Sequence, residues 1–442
     1  MNIQSAEEYQ RINKIRQEKI YQKIINKDTS LEFVNNDLTN KNKFFDDVSL
    51  ENDPLENEII LNMGPQHPAT HGVLRVLLKI NGETVVKGIP ELGYLHRGVE
   101  KLAENMGLHQ FLPYTDRLDY LSPLANNVAW VLACENAIGI QAPDRANWIR
   151  TLCCELARIS SHLMAFGSMA MDSGAISMLV WIWTEREKIY DIIELLCGAR
   201  FTTSYTRIGG VANDISSETI HKLKEFLDQF PEKMKFIKKV ILRNRIFVER
   251  FSGVCILKPE RAIALGITGP ILRASGINRD LRRDTPYLIY NDLDFDVITE
   301  KDCDNYARAL VRIREIEESH KMLYQIIDKM PKGEIRRDDN KTTFSCKKNI
   351  YTKMEYLISD FHLADKGVPI PKGETYTAVE GSKGELGFFI VSNGNGHPWK
   401  VKIRSASAAN LQCLSELIEG SMLADVVLAI GSLDPIMGEA DK

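Results

Sequence analysis

The sequence predicts an α+β protein. A central helical bundle carries a small antiparallel sheet unit at its N-terminal end and a second α+β unit at its C-terminal end. Three observations predict this. Strand-like apolar runs bounded by turn signals fall near residues 58–89 and 375–403, and nowhere between. The intervening stretch carries apolar stripes at 3.6 spacing over several long segments. The composition, 44% apolar and 26% charged over 442 residues, is that of a globular chain long enough for one large core with attached units.

Residues 1–57 stand apart, with nineteen charged residues, nine Asn and no Gly. Ile12, Ile15, Tyr21, Ile24 and Ile25 lie among Arg11, Lys14, Arg16, Lys19 and Lys23, a pattern that suits an amphipathic helix. Residues 28–57 are acidic and irregular. Such a segment cannot bury a core alone, so a partner-binding arm is expected, with a merely solvated arm as the alternative. From Glu58 the texture changes. Residues 58–62 and 73–80 read as strands joined by the loop MGPQHPATHG, and Asn81-Gly82 marks a hairpin into a strand at 84–89. Helices are predicted over 123–138, 143–167, 175–196, 217–250 and 304–330, several opened by Pro or Ser. A polar linker follows at 338–348, then strands at 375–379, 386–391 and 399–403, with Asn393-Gly394 as a turn. The expected units are therefore 1–57, 58–95 with the loop, 96–340 as the helical core, and 341–442.

Composition excludes several functions. Lys+Arg 56 against Asp+Glu 60 leaves a net charge of −4, so no basic footprint marks a nucleic-acid binder. The eight cysteines contain no Cys-x-x-Cys, the spacing that zinc ribbons, ferredoxin clusters and thioredoxin motifs need. No metal or nucleotide is expected to be held by this chain alone: Walker, G-x-G-x-x-G and G-x-S-x-G signatures are all missing. The run from Leu163 to Trp183 has spanning length, but Asp172 sits in its middle at a cost of about 3 kcal/mol on insertion scales. Two buried helices meeting at a Gly-rich turn are expected instead. The N-terminus has neither a secretory apolar core nor the acid-poor character of a transit peptide.

Three places could carry chemistry. In the loop 63–72, Pro65 and Pro68 stiffen the backbone around His67 and His71. The pair is either held on a preorganised turn for function or sits at a hairpin tip, bonding backbone. The segment PYTDRLDYLS at 113–122 gathers Tyr114, Asp116, Arg117, Asp119 and Tyr120 ahead of an apolar helix, with Ser122 as the expected N-cap and Pro123 at the first helical position. Asp172 needs a partner to be buried, and a histidine suits it, since a carboxylate fixes the tautomer of an imidazole and raises its basicity.

These motifs resemble a known family. GPQHPATHGVLR at 64–75, GYLHRGVEK at 93–101, PYTDRLDYLSPLANN at 113–127, RIGGV at 207–211, LRASGINRDLRR at 272–283, RIREIEESHK at 312–321, PKGETYTAVEGSKGELGFFIVSNG at 371–394 and SLDPIMGE at 432–439 resemble the quinone-site large subunit of complex I, NADH:quinone oxidoreductase. The blocks run in order through everything except the N-terminal arm. The resemblance implies a hydrogenase large-subunit-like fold and a role for this chain as a core peripheral-arm subunit that forms the quinone-reduction site, coupled to proton translocation. It implies catalytic roles for His71, Tyr120 and Asp172, with His67, His71 and Tyr120 around the quinone and Asp172 paired with His71. It also implies a long-chain quinone as substrate, electrons from a tetranuclear iron–sulfur cluster in a neighbouring subunit, and peripheral-arm and membrane-arm subunits as partners. The chain would then be membrane-associated through the complex without spanning the membrane itself. The implied location is the mitochondrial inner membrane, matrix side, with the cytoplasmic side of a bacterial plasma membrane as the alternative.

Elementary chemistry agrees with those roles. Quinone reduction takes up two electrons and two protons, and a phenol near pKa ~10 and an imidazole near ~6.5 are suitable donors to a developing quinolate. The family is related to nickel–iron hydrogenase large subunits, whose R-x-C-G-x-C and D-P-C-x-x-C-x-x-H motifs place their four cysteines at Asp119, Ser122, Ile436 and Glu439 here. Nickel therefore has no thiolates to bind, and hydrogenase activity is excluded. A structural scaffold with a decayed quinone site is the alternative function, and it predicts the loss of His71, Tyr120 or Asp172. An independent hydrolase or metal enzyme fails for want of a nucleophile motif or ligand spacing. Lys442 stands where the relatives lead one to expect Arg, His109 and Cys255 have no assigned role, and Arg75 faces either the neighbouring cluster or a plain strand edge.

Overall fold

The structure is a computed structural model that describes residues 58–442; the expected arm at 1–57 lies outside the described residues. Strands β1 (Glu58–Met63), β2 (Arg75–Asn81) and β3 (Thr84–Glu91) form an antiparallel sheet in that order. Asn81 pairs with Thr84 across a two-residue turn in which Gly82 takes φ 60°, a conformation that glycine adopts without a Cβ clash. Val76, Leu78, Ile80 and Val85 bury one face against Leu417, Ile418, Val426 and Ile430 from the other end of the chain. Backbone hydrogen bonds reinforce this: Val85 N donates to Ser421 O at 2.9 Å and Gly420 N to Val85 O at 2.8 Å. Both ends of the described chain therefore share one core.

The longer helices are α1 (Leu108–Thr115), α2 (Pro123–Ile138), α3 (Asp144–Asp172), α4 (Ile176–Cys197), α5 (Ser217–Ile241), α6 (Asn305–Lys329), α7 (Met354–Asp365) and α8 (Leu423–Leu433). The largest core joins α3, α4, α5 and α6 through Leu156, Leu163, Phe166, Ile189, Phe230 and Ile316. α3 is its axis, with 22 of its 29 residues buried, and a helix buried all round must satisfy the polar groups it carries. Arg150 forms a forked pair with Glu135 of α2 at 2.9 and 2.6 Å, and His162 meets Glu315 of α6 at 2.8 Å. Glu155 accepts from Tyr290 at 2.7 Å and Ser319 at 2.6 Å.

Between α4 and α5 a small ribbon, β4 (Thr206–Arg207) with β5 (Gly210–Val211), pairs antiparallel. The C-terminal sheet is β6 (Gly373–Gly381), β7 (Gly384–Ser392) and β8 (Lys400–Arg404) in sequence order. It rests on α2, where Trp130 meets Phe388 edge-on at 5.3 Å. The β6–β7 turn, Ser382–Lys383, does not face solvent. It is pushed into the helical body, with the two residues only 3% and 4% exposed.

The α+β architecture agrees with the expectation, and some boundaries differ for identifiable reasons. α3 runs on through Gly167 to Asp172, because the missing Cβ at Gly167 makes room for Leu179 Cδ1, which it would otherwise meet at 2.9 Å. The turn comes later, at Gly174 with φ 95°. The stretch expected to be helical over 217–250 is two helices, because the Asn244 side chain accepts from Ile246 N at 2.8 Å and caps a new start at Arg245. Pro123 does open α2, but Ser122 does not cap it: its ψ of 50° is not extended and its buried Oγ has no partner. Among the described residues no helix is long and apolar enough to cross a membrane.

Candidate functional site

The loop between β1 and β2 owes its shape to its own side chains. Pro68 starts a single 3₁₀ turn, Pro68–Thr70, and His67 caps it, its Nδ1 accepting from Ala69 N at 3.2 Å. Thr70 is buried and donates its hydroxyl to His67 O at 2.8 Å. The turn ends at His71 in the left-handed region, φ 49° and ψ 43°, a conformation that is uncommon outside glycine and directs this side chain inward. His67 remains exposed on the rim of a cavity of about 430 Å³, shared with Leu61, Met63, Met422 and Val427.

His71 Nε2 lies 3.0 Å from Oδ2 of Asp172, the last residue of α3, with the two side chains 14% and 4% exposed. Burial works against the imidazolium. The hydrogen bond and charge of Asp172, joined by the charge of Asp434, outweigh it and hold His71 above the ordinary histidine value. Asp434 follows α8 in the left-handed region at φ 50°, and the end of that helix is tied to α6 by Arg312 Nη2 donating to Ser432 O at 2.7 Å.

Tyr120 is half-buried, with its ring 6.3 Å from that of Phe201. Burial raises its phenol above the usual value, and the charges of Asp119 and Asp434 raise it further. Asp434 thus acts on both His71 and Tyr120, and it is held by the lysine at the β6–β7 tip. Lys383 Nζ lies 2.9 Å from Asp434 Oδ2 and 3.6 Å from Asp119 Oδ2, and donates to Ser161 Oγ at 2.9 Å. Sequence reasoning misses Lys383, since a lysine at a Gly-flanked hairpin tip is normally solvated. The one available signal is its place inside the EGSKGE block.

The four positions aligned with hydrogenase cysteines are all buried. Asp119 faces Lys383, and Glu439 accepts from Ser407 N at 2.7 Å, its carboxyl pushed up to about 7 by burial and by the charge of Asp119. The rest of the 113–122 patch is structural. Asp116 accepts from Ser204 N at 3.1 Å and Ser204 Oγ at 2.7 Å, and Tyr114 stacks on Phe111. The residues without assigned roles have structural ones: His109 bonds Thr342 O at 2.9 Å, Cys255 is buried, and Lys442 reaches Ile403 O. Arg75 opens β2, the middle strand of its sheet, bonded to Asn62 at 2.9 Å, Glu91 at 3.0 Å and Tyr94 at 3.1 Å. The GYLHRGVEK block clamps the C-terminus. Asp441 accepts from Gly93 N and Leu95 N, both at 2.8 Å, and Arg97 donates to Gly438 O at 2.8 Å.

Comparison with known proteins first gives a class. The chain is 58% identical over 392 residues to the D-type subunit (copy 1) of the NADH-quinone oxidoreductase of Chloroherpeton thalassium, with 89% of each chain covered. It is 49% identical over 426 residues to the corresponding NADH-quinone oxidoreductase subunit of Salinibacter ruber, covering 96% of this chain and 94% of that one. The corresponding subunit of Methylacidiphilum infernorum is 50% identical over 389 residues, covering 88% and 93%. These relatives mark the chain as a subunit of an oxidoreductase. The particular family follows from residues 172–442, which match the family model described as respiratory-chain NADH dehydrogenase, 49 kDa subunit. The chain belongs to that family.

Proposed function

We propose that this subunit of NADH–quinone oxidoreductase reduces quinone beside the loop 64–72, with His71 and Tyr120 as the two proton donors. The observation that carries this reading is the buried His71–Asp172 pair. A quinone that takes two electrons becomes a quinol when each of its carbonyl oxygens gains a proton. His71, which Asp172 and Asp434 make a stronger proton holder than an ordinary histidine, gives its proton to one oxygen as charge develops there. Tyr120, raised by burial and by Asp119, stays a phenol and serves as hydrogen-bond donor and then acid. Asp172 orients the imidazole and stabilises its charged form between turnovers. His67 shapes the loop by capping its turn, and its exposed ring is the loop's second imidazole available to a quinone headgroup in this reading.

The electron source in this reading is an iron–sulfur cluster of a neighbouring subunit. The partners are the other complex I subunits and a long-chain quinone. The complex is membrane-associated, and the bacterial relatives favour the cytoplasmic side of a bacterial plasma membrane over the mitochondrial matrix. A scaffold with a decayed site is disfavoured, because His71, Tyr120 and Asp172 are all present and the first and last are paired. The test is Tyr120→Phe in the membrane-bound complex, with NADH oxidation by a hydrophilic acceptor as the control. Quinone reduction should fall about 100-fold with the control unchanged. A normal quinone rate would remove the phenol from the mechanism.

A further inference from the structure

Gly431 lies in the last turn of α8 and is buried, and its φ is not positive. A glycine inside a helix is less favourable than alanine, and here no turn or cap requires it, since Asp434 ends the helix three residues on. Its reason is space. A Cβ on Gly431 would stand 2.3 Å from Oδ2 of Asp172 and 3.6 Å from Nε2 of His71. The oxygen it would strike is the one that His71 bonds at 3.0 Å.

We propose that Gly431 is a positioning residue for quinone reduction: the space left by its missing side chain is the seat that holds the Asp172 carboxylate against His71. The proposal rests on the reading of His71 and Asp172 as a proton-donor pair. The carboxylate has little room to move elsewhere, because its side chain is 4% exposed and the helix that carries it packs on α6 and α8. The charged groups facing His71 are Asp172 from the end of α3 and Asp434 from the end of α8. Asp434 is itself paired with Lys383 from the β6–β7 turn and faces Arg312 from α6.

A methyl at position 431 displaces the carboxylate, and burial of the imidazole is then opposed by Asp434 with less help from Asp172. His71 loses its proton at lower pH, so the alkaline limb of quinone reduction moves to lower pH. A purely structural defect lowers the rate by the same factor at every pH.

The experiment uses the whole complex in membranes, with a short-chain quinone as acceptor, over about pH 6 to 9. The variants are Gly431→Ala, Asp172→Asn, Asp172→Ala, His71→Ala and the double variant Gly431→Ala with Asp172→Ala. Gly431→Ala is expected to cut the rate about tenfold at the alkaline end and to shift the limb in the same direction as Asp172→Asn. In the Asp172→Ala background the methyl enters vacated space, so Gly431→Ala should add no further loss. If Gly431→Ala alone impairs assembly, the double variant is expected to restore it. A Gly431→Ala profile that superimposes on the parent while Asp172→Asn shifts would overturn the role of Gly431 and leave the donor pair standing. Multiplied losses in the double variant, or an assembly defect that persists there, would also overturn it. If neither Asp172→Asn nor His71→Ala changes the profile, the donor-pair reading itself fails.

Discussion

Replacing Lys383 by Met tests the buried charge balance beneath the site. The side chains are close in length, so packing changes little while the ammonium that contacts both Asp119 and Asp434 is removed. At 2.9 and 3.6 Å, with an effective dielectric of about 20, the gross attractions are about 6 and about 5 kcal/mol. Most of that is spent on desolvation. Removing one member of a buried ionic group leaves a net loss of about 3–5 kcal/mol, because the remaining charges stay buried without a partner. The sign of the pH dependence follows from the carboxylates. Burial already holds Asp119 above the usual carboxylate value, with Lys383 pulling the other way. Without Lys383 its folded-state value rises further. A raised folded-state value contributes stability at low pH that is lost as pH rises through it, so the variant should be weakest at neutral pH and recover on acidification. Thermal inactivation of the assembled complex, followed near pH 7 and about pH 5, measures this. Adding Asp434→Asn should return part of the loss, since one of the stranded charges is then gone. A deficit below about 1 kcal/mol, or one unchanged between the two pH values, would refute the reasoning.

Other consequences can be checked directly. His71→Ala combined with Asp172→Asn should slow quinone reduction no more than the worse single variant, because the two side chains act as one unit; independent, multiplying losses would contradict the pair. Glu135→Ala strands the Arg150 fork in the core and should lower stability by about 3–5 kcal/mol, visible as a lower midpoint of thermal inactivation with little change in the quinone pH profile. Alkylation of the native protein should label exposed Cys346 first and leave Cys134, Cys153 and Cys154 untouched, since burial holds those three thiols protonated. Peptide mapping after a short exposure to reagent distinguishes the two groups.

The long helices are legible because one face of each repeats at 3.6 spacing over many residues, a signal that survives local noise. α2 matches its predicted bounds residue for residue. Differences cluster where glycine reads as a terminator. Gly167 lies inside α3, and Gly373, Gly381 and Gly384 lie within strands, so β6 and β7 run longer than expected. The helices at 406–411, 414–418 and 437–440 leave no individual signal, because segments of four to six residues are too short to show an amphipathic period. At the site, the residue types and the stiff loop can be read directly. The pairing of His71 with Asp172 spans 101 positions, and no spacing rule reaches that far. It is available only through resemblance to relatives, together with the argument that a carboxylate in an apolar run needs a partner. Gly431 leaves no local trace, and Lys383 only its place inside the EGSKGE block. One matters for an atom it lacks, the other for a burial that depends on how a distant hairpin docks.

The length of α3 is itself a constraint on the chemistry. Its 29 residues reach about 44 Å at about 1.5 Å per residue, with Arg150 locked near one end and Asp172 delivered at the other. Each residue added or removed between those points turns everything beyond it by about 100° and slides it by about 1.5 Å. A single-residue insertion anywhere in that span would swing the carboxylate off the imidazole while every named side chain remained in the sequence. The helix works as a ruler, and the count of residues along it matters as much as their identity.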